Sequence, residues 1–354
     1  LRYLSLFSGI EAASVAWRSL GWEAVAFAEI EPFCCALLEH HYPDVPNLGD
    51  VTKTNWSDYA NGSSADLIVG GSPCQAFSVA GQRGSLTDDR GKLIFRFIRI
   101  CDDINPDWIV WENVPGVLNT RDNAFGHFLG AIVGADSPLI SPYSGGVWPS
   151  AGLVSGPRRQ AAWIIKDAQF YGVPQRRRRV FVVASNFGAW PCAEALFPVE
   201  SCMSGHSAPG SQTGQETTGA ITDSVGAGGA VTASLTTNPN ADNHGQDSKL
   251  VVTHPLTARY DSGEDGCGRG TPLVAAALTS HSPRFDAAVR RLTPLECERL
   301  QGFPDGYTHI SYGRPRCPDQ LCPDGPRYRA LGNSMAVPVM RWIGERISQI
   351  EEQI

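Results

Sequence analysis

The chain has 354 residues, 42% of them hydrophobic, with 29 basic against 36 acidic side chains and a formal net charge of −7. That length suits a large α/β domain with a smaller partner, and no stretch approaches the roughly 18 to 20 uninterrupted apolar residues of a membrane span. The acidic total does not by itself point to nucleic acid, and ten cysteines are too dilute for a disulfide scaffold.

Leu4 to Phe7 reads as a strand that breaks at Ser8-Gly9, followed by Ala12, Ala13, Val15, Ala16 and Leu20 at helical spacing. This beginning has no signal-peptide layout, so a cytoplasmic protein is expected. A second strand, Ala24 to Ala28, ends in Glu29, and a helix opens at Pro32, a favoured first-turn residue. Asp50-Val51 precedes a polar stretch, and the apolar run Asp66-Leu67-Ile68-Val69 then leads into Gly70-Gly71-Ser72-Pro73-Cys74-Gln75. A further run, Trp108-Ile109-Val110-Trp111, ends in Glu112-Asn113-Val114-Pro115. Alternating strand and helix patterns over the first 120 residues predict a doubly wound sheet. Such sheets carry their chemistry at the carboxyl ends of their strands, so Cys74 and Glu112 can face one site.

Beyond this, Asp136 to Gln160 is rich in Gly, Ser and Pro and reads as a surface insertion. From about Phe187 to Ala288 helical periodicity disappears, and short phrases such as Ala220-Ile221-Thr222 and Pro255-Leu256-Thr257 recur irregularly. Order resumes at Leu292, where Thr293 can cap a helix with Pro294 in its first turn. In the tail, Val339, Trp342, Ile343, Ile347 and Ile350 fall at helical spacing and predict a helix that packs back on the first domain. The expected division is 1–186, an inserted loop-rich domain at 187–325, and a returning segment at 326–354.

A thiolate is the reactive form of cysteine, and a buried carboxylic acid can be held protonated to donate a hydrogen bond. A Cys and Glu pair therefore suits attack on an electron-poor ring. On these two segments alone, a small buried thiol and a turn-capping carboxylate explain the residues equally well. Positive charge gathers at Arg158-Arg159, at Arg176 to Arg179, at Arg290-Arg291, and at Arg314, Arg316, Arg327 and Arg329. Each cluster reads either as a set of phosphate contacts or as a solvated basic face. Cys317 and Cys322 have metal-like spacing, but no second Cys or His pair nearby completes a tetrahedral set, so no metal is expected.

Taken in order, eight phrases resemble the DNA (cytosine-5) methyltransferase family of bacteria and phages. They are Phe7-Ser8-Gly9, Glu29, Gly49-Asp50-Val51-Thr52, Ser72-Pro73-Cys74-Gln75, Glu112-Asn113-Val114, Tyr171-Gly172-Val173-Pro174-Gln175 with its arginines, Arg291-Leu292-Thr293-Pro294 through Gln301-Gly302-Phe303-Pro304, and Leu331-Gly332-Asn333-Ser334. The resemblance implies a Rossmann-like, mostly parallel sheet of the S-adenosylmethionine-dependent methyltransferase fold with a smaller target-recognition domain. It implies transfer of a methyl group from S-adenosylmethionine to carbon 5 of a cytosine flipped out of duplex DNA. Cys74 would add to ring carbon 6, and Glu112 would hydrogen-bond the ring nitrogen and exocyclic amine. In a strand Arg177 and Arg179 share one face, so Arg179 would contact the base while Arg177 supports the pocket or a phosphate.

The same resemblance places the cofactor against Phe7, Ser8, Gly9 and Ile10, with Glu29 on the ribose hydroxyls and Asp50 on the adenine amine. Ile30 and Val51 would line the adenine slot, and Pro73, Asn333 and Ser334 would complete the methionine end. The chain departs from the family pattern at Ile10-Glu11-Ala12-Ala13, where further glycines are usual. Gln75, Ser78, Arg83, Arg90 and Gln175 are expected on DNA, and Phe77 to Gly91, with Gly81, Gly84 and Gly91 as hinges, reads as a lid. Residues 190–280 hold nine acidic and three basic side chains, an odd balance for the segment that should read DNA sequence. A monomer is expected, in a phage setting or paired with a restriction endonuclease. A transfer-RNA methyltransferase and a noncatalytic DNA-binding relic are the alternatives.

Overall fold

The computed structural model describes residues 1–59, 65–72, 89–143, 145–186, 192–197, 273–274, 290–312 and 322–353. The chain forms two compact units, Leu1–Asp167 with Arg178–Ser207 and Ser334–Ile354, and Ala168–Arg177 with Ala208–Asn333. The sequence pattern places the boundaries at 186/187 and 325/326. The segment 168–177 groups with the second unit, and the return to the first falls at Ser334.

The first unit is built on a seven-stranded sheet. In chain order its strands are β1 (Arg2–Leu6), β2 (Glu23–Ala28), β3 (Leu67–Gly70), β4 (Trp108–Asn113), β5 (Ala151–Ser155), β6 (Arg159–Asp167) and β7 (Arg178–Asn186), arranged β2-β1-β3-β4-β7-β6-β5. The pairs β1/β2, β1/β3 and β3/β4 are parallel, whereas β4/β7, β6/β7 and β5/β6 are antiparallel. The sheet is therefore mixed, parallel in one half only. In the β5–β6 hairpin Gly156 N donates to Arg159 O (3.0 Å), and a chain that reverses so quickly can only pair antiparallel. The expected insertion at 136–160 is thus partly sheet, since β5 forms an edge. Gly152 permits this edge, because an added Cβ would lie 2.2 Å from the Trp163 ring.

Every residue of β3 and β4 is buried, the pattern of strands covered on both faces. Helices α1 (Ala12–Trp17), α2 (Pro32–His41), α3 (Asp89–Ile104), α4 (Ala124–Val133) and α5 (Cys192–Leu196) accompany the sheet. Pro32 begins α2, and the Glu31 carboxylate caps it by accepting from Cys34 N (2.9 Å). Later in the chain come α6 (Pro294–Gln301), α7 (Asp324–Asn333) and α8 (Val337–Glu351), and the pair β8 (Leu273–Val274) and β9 (Arg290–Arg291). Helix α8 packs on α1 as expected: Trp17 Nε1 donates to Met340 O (2.8 Å), and Gly344 leaves room for the Trp17 ring.

Arg159 and Arg327 leave their basic clusters for the interior. Arg159, only 2% exposed, meets Asp102 (2.7 Å), the carbonyls of Cys101 and Ile132, and the amide oxygens of Asn105 and Asn186. It knits α3, α4 and the sheet edge together. In the second unit Arg327 is buried against Glu298, which is fully enclosed and also accepts from Gly306 N (2.7 Å) and Thr308 N (2.8 Å). Neither guanidinium faces solvent, so neither is a phosphate contact. A buried ion pair persists only where its remaining polar atoms are satisfied, and both hubs meet that condition.

Candidate active site

The strand order reverses between β2 and β3 on either side of β1, and the chain segments leaving β1, β2, β3 and β4 emerge at the same edge. In open α/β sheets such a switch point opens a crevice for a ligand. Phe7 to Ile10 follow β1, Glu29 and Ile30 follow β2, and Glu112 lies in β4, whereas Asp50 and Val51 lie on the loop after α2 and Arg179 on β7.

After β1 the backbone takes three left-handed positions in five residues, at Phe7 (φ 55°), Gly9 (φ 56°) and Glu11 (φ 60°). Two of the three carry side chains, a conformation that costs free energy and marks a constrained turn. Ser8 holds the turn in place, donating to Ser5 O (2.8 Å) and accepting from Ala28 N (3.1 Å). Its hydroxyl is a strut between β1 and β2 rather than a free ligand contact. Ile10 is fully buried, so it offers a ligand its backbone alone.

Glu29 follows β2 with its carboxylate drawn back onto the backbone. Oε1 accepts from Ile30 N (2.8 Å) and Glu31 N (2.7 Å), and Oε2 from Gly9 N (2.7 Å). That last bond joins the two strand ends and leaves Oε2 able to accept again. Beside it Ile30 stands 68% exposed, an apolar surface suited to one face of a flat ring. Asp50 lies on the next loop, where hydrogen bonds from the Thr52 backbone (2.9 Å) and hydroxyl (2.7 Å) hold its carboxyl below the usual carboxylate range. Val51 belongs to the core instead of an open slot, and its carbonyl is gripped by Trp56 Nε1 and Arg96 Nε, both at 3.0 Å.

At the end of β3 two glycines meet steric limits. A Cβ on Gly70 would sit 2.7 Å from Leu6 O, and one on Gly71 would press on Met335 Cε (3.2 Å) and Glu112 Oε2 (3.3 Å). Ser72 is then fastened to β4: Trp111 Nε1 donates to its hydroxyl (3.1 Å) and Asn113 Nδ2 to its carbonyl (3.2 Å). Trp111 is itself stacked on Phe128 with centroids 4.2 Å apart. The segment that continues into Cys74 thus departs from a rigid base. Pro73, Cys74, Gln75, Ser78 and Arg83 lie outside the described residues, as do Gly81 and Gly84. Helix α3 already includes Arg90 and Gly91, so Gly91 sits in a first helical turn rather than at a free hinge.

Glu112, 8% exposed, is the last residue but one of β4. Its Oε1 lies 3.1 Å from Arg179 Nε in an ion pair, yet the geometry gives that oxygen no hydrogen bond from any described residue. A buried carboxylate oxygen left in this state is costly and suits a donor supplied by a ligand. Arg179 is held from behind by its own strand, donating to Arg178 O (2.9 Å). The strand begins at Arg178, one residue later than the alternation argument needs, because Ala168 N donates to Arg177 O and Gln175 N to Val173 O in a tight turn. Arg176 and Arg178 are exposed and Arg177 is buried, so the inward and outward pattern survives without the strand.

In the second unit Gln175 is fully enclosed, with Nε2 donating to Leu300 O (2.9 Å), and Arg177 Nη2 donates to Gly332 O (3.2 Å). Both tie the 168–177 segment to α6 and α7. As folded, Gln175 presents no surface to DNA and Arg177 none to a phosphate. Thr293 and Glu296 form a reciprocal capping box at the start of α6, as the Thr-Pro pair foretold. Asn333, at the end of α7, is exposed, whereas Ser334 in the first unit is buried and donates to Met335 O (3.2 Å). Burial pushes up the thiols of Cys34, Cys101 and Cys297, and that of Cys192 to about 11, so these behave as inert core residues. No group of three metal-ligating side chains occurs among the described residues. No helix among them is long and apolar enough to cross a membrane.

Asn47 has no counterpart in the sequence reading, although its amide binds Glu29 N (3.0 Å) and Glu29 O (3.1 Å). Its one signal was the spacing from Asp50, three residues on.

Fold and strand-end chemistry together define a protein of the Rossmann-like S-adenosylmethionine-dependent methyltransferase fold. The solved structure of Schizosaccharomyces pombe Dnmt2 methyltransferase overlays with a TM-score of 0.61 at 18% identity, covering 100% of this chain and 99% of the other. A family model described as C-5 cytosine-specific DNA methylase matches residues 1–135 and 231–349, and the chain belongs to that family. It is 37% identical to a protein of Escherichia phage P1 named as a DNA N-6-adenine-methyltransferase, over 99% of this chain and 61% of the phage protein. The chain thus spans under two thirds of that relative. It is also 27% identical to the Type II methyltransferase M2.BsuMI of Bacillus subtilis (strain 168), over 99% of this chain and 76% of the relative.

Proposed function

We propose that the chain is a DNA cytosine-5 methyltransferase that acts on a specific duplex sequence in the bacterial cytoplasm. The observation that carries this reading is the Glu112–Arg179 pair at the end of β4, with a buried carboxylate oxygen that no described residue hydrogen-bonds. A flipped cytosine offers a donor from its exocyclic amine and, once the ring nitrogen is protonated, a second one beside it. Glu112 would take up both, and Arg179 would hold the carboxylate in line and contact the base.

S-adenosylmethionine supplies an electrophilic methyl group when bound. Glu29 Oε2 has acceptor capacity left for a ribose hydroxyl, Asp50 is an accessible acceptor, and Ile30 offers an apolar face, so the residues present fit the nucleoside end. The Cys74 thiolate would form a bond to ring carbon 6, which makes carbon 5 nucleophilic toward the methyl group. Loss of the carbon 5 proton to a base then expels the thiolate and restores the ring. Adenine N-6 transfer, printed for the phage P1 relative, needs neither a covalent thiol nor a group that stabilises ring charge. The Pro-Cys-Gln segment therefore favours cytosine.

The test is bisulfite sequencing of genomic DNA from a methylation-free host expressing the protein, beside a Cys74→Ala control. Cytosine methylation recurring at one short sequence and absent from the control is the expected result. Methylation that persists in the control refutes the covalent mechanism. Soluble protein without any methylated cytosine refutes the cytosine reading.

A further inference from the structure

The segment leading to Asp50 runs beside the end of β2. Phe27 N donates to Pro46 O (2.9 Å) and Leu48 N to Phe27 O (2.8 Å), a single parallel bridge centred on Asn47. Past this bridge the Asn47 side chain binds the backbone of Glu29. Its Oδ1 accepts from Glu29 N (3.0 Å) and its Nδ2 donates to Glu29 O (3.1 Å), so one amide binds both backbone polar groups of the same residue.

Two further bonds extend the clamp. Gly49 N donates to the same Oδ1 (3.2 Å), with Gly49 in the left-handed region (φ 72°) immediately before Asp50. Nδ2 also reaches Cys35 Sγ (3.3 Å) on α2, whose thiol donates to Glu29 O (3.3 Å). Four hydrogen bonds from one side chain therefore tie the Glu29 backbone to Gly49, the residue before Asp50, and to α2.

We propose that Asn47 is a positioning residue for adenosine recognition: by tying the Glu29 backbone to that of Gly49, its amide sets the spacing between the two segments whose carboxylates, Glu29 and Asp50, would meet a ribose and an adenine together. This rests on the S-adenosylmethionine reading above. An adenosine group is rigid along that span, so a pair of acceptors misplaced by a fraction of an ångström loses one contact to keep the other. The effect belongs to nucleoside affinity and not to the transfer step, because the Asn47 side-chain hydrogen bonds run to Glu29, Gly49 and Cys35.

The experiment uses isothermal calorimetry on the full chain with two probes, S-adenosylmethionine and 5′-methylthioadenosine, which keeps the nucleoside and lacks the amino-acid end. Asn47→Asp retains Oδ1 and loses both Nδ2 bonds, while Asn47→Ala loses all four. Both variants are expected to raise Kd tenfold or more, by the same factor for the two probes, with kcat at saturating cofactor within about twofold of the parent. Should Asn47→Ala fail to fold, the near-isosteric Asn47→Asp carries the test, with its thermal midpoint measured alongside.

Parent-like affinity in Asn47→Asp overturns the inference and leaves the cofactor reading standing. Weakening of S-adenosylmethionine alone also overturns it, since the clamp would then act on the amino-acid end. A parent protein that binds neither probe overturns the cofactor reading itself.

Discussion

Replacing Glu11 with Gln probes the turn after β1 where the chain departs from the glycines of its family. Glu11 heads α1, accepts from Ser14 N (3.2 Å), and is 1% exposed, with Oε2 lacking a hydrogen-bond partner among the described residues. Burial pushes its carboxyl from the ordinary 4.5 up to about 7, with the Glu29 charge adding to the rise and bonds from Ser5 and Ser14 opposing it. Tyr3, which bonds Ser14 through its hydroxyl, is the other titratable neighbour, and its own pKa is raised by burial and by Glu11.

Because the folded value lies above the unfolded one, the folded state binds the extra proton between them. Stability therefore falls as pH rises from 4.5 through about 7. At about 1.4 kcal/mol per pH unit, the penalty grows from under ~1 kcal/mol near pH 5 to about 3 kcal/mol near pH 8. Gln is neutral throughout and nearly isosteric, so the substitution removes that slope. Urea unfolding of both proteins from pH 5 to pH 8 should show Glu11→Gln gaining about 2 kcal/mol on the parent across the range, all other titrating groups being common to both. Parallel stability curves for the two proteins would refute the reasoning.

Gly71→Ala places a methyl group 3.2 Å from Met335 Cε and 3.3 Å from Glu112 Oε2. It should lower the single-turnover methyl-transfer rate roughly tenfold or more while shifting the thermal midpoint by only a few degrees. A parent-like rate would show that the Glu112 carboxylate tolerates displacement. Arg159→Met removes the guanidinium that binds Asp102 and the Cys101 and Ile132 carbonyls, leaving those groups short of a donor. Chemical denaturation should show a loss of about 3 kcal/mol. Arg158→Met, which deletes only an exposed partner of the same Asp102 (3.0 Å), should cost under about 1 kcal/mol.

The sequence alone determined the strand ends and the chemistry attached to them. Apolar runs long enough to cross a buried sheet stop at Phe7, Glu29, Gly70 and Glu112, and both the period of the pattern and its interruptions are local properties of the chain. The α6 cap was legible for the same reason, since Thr293, Pro294 and Glu296 act within one helical turn. Tertiary structure decided what those ends touch. Arg159 and Arg327 read as candidate phosphate ligands until α3, α4 and Glu298 close around them, and Gln175 reads as a DNA contact until Leu300 receives its amide. The antiparallel half of the sheet, the clamp of Asn47 on Glu29, and the pressure of Glu112 and Met335 on Gly71 depend on residues brought together from distant parts of the chain. A side chain's type is written in the sequence, but its solvation and partners follow from packing, and these decide whether a charge meets solvent, a ligand or the protein's own backbone.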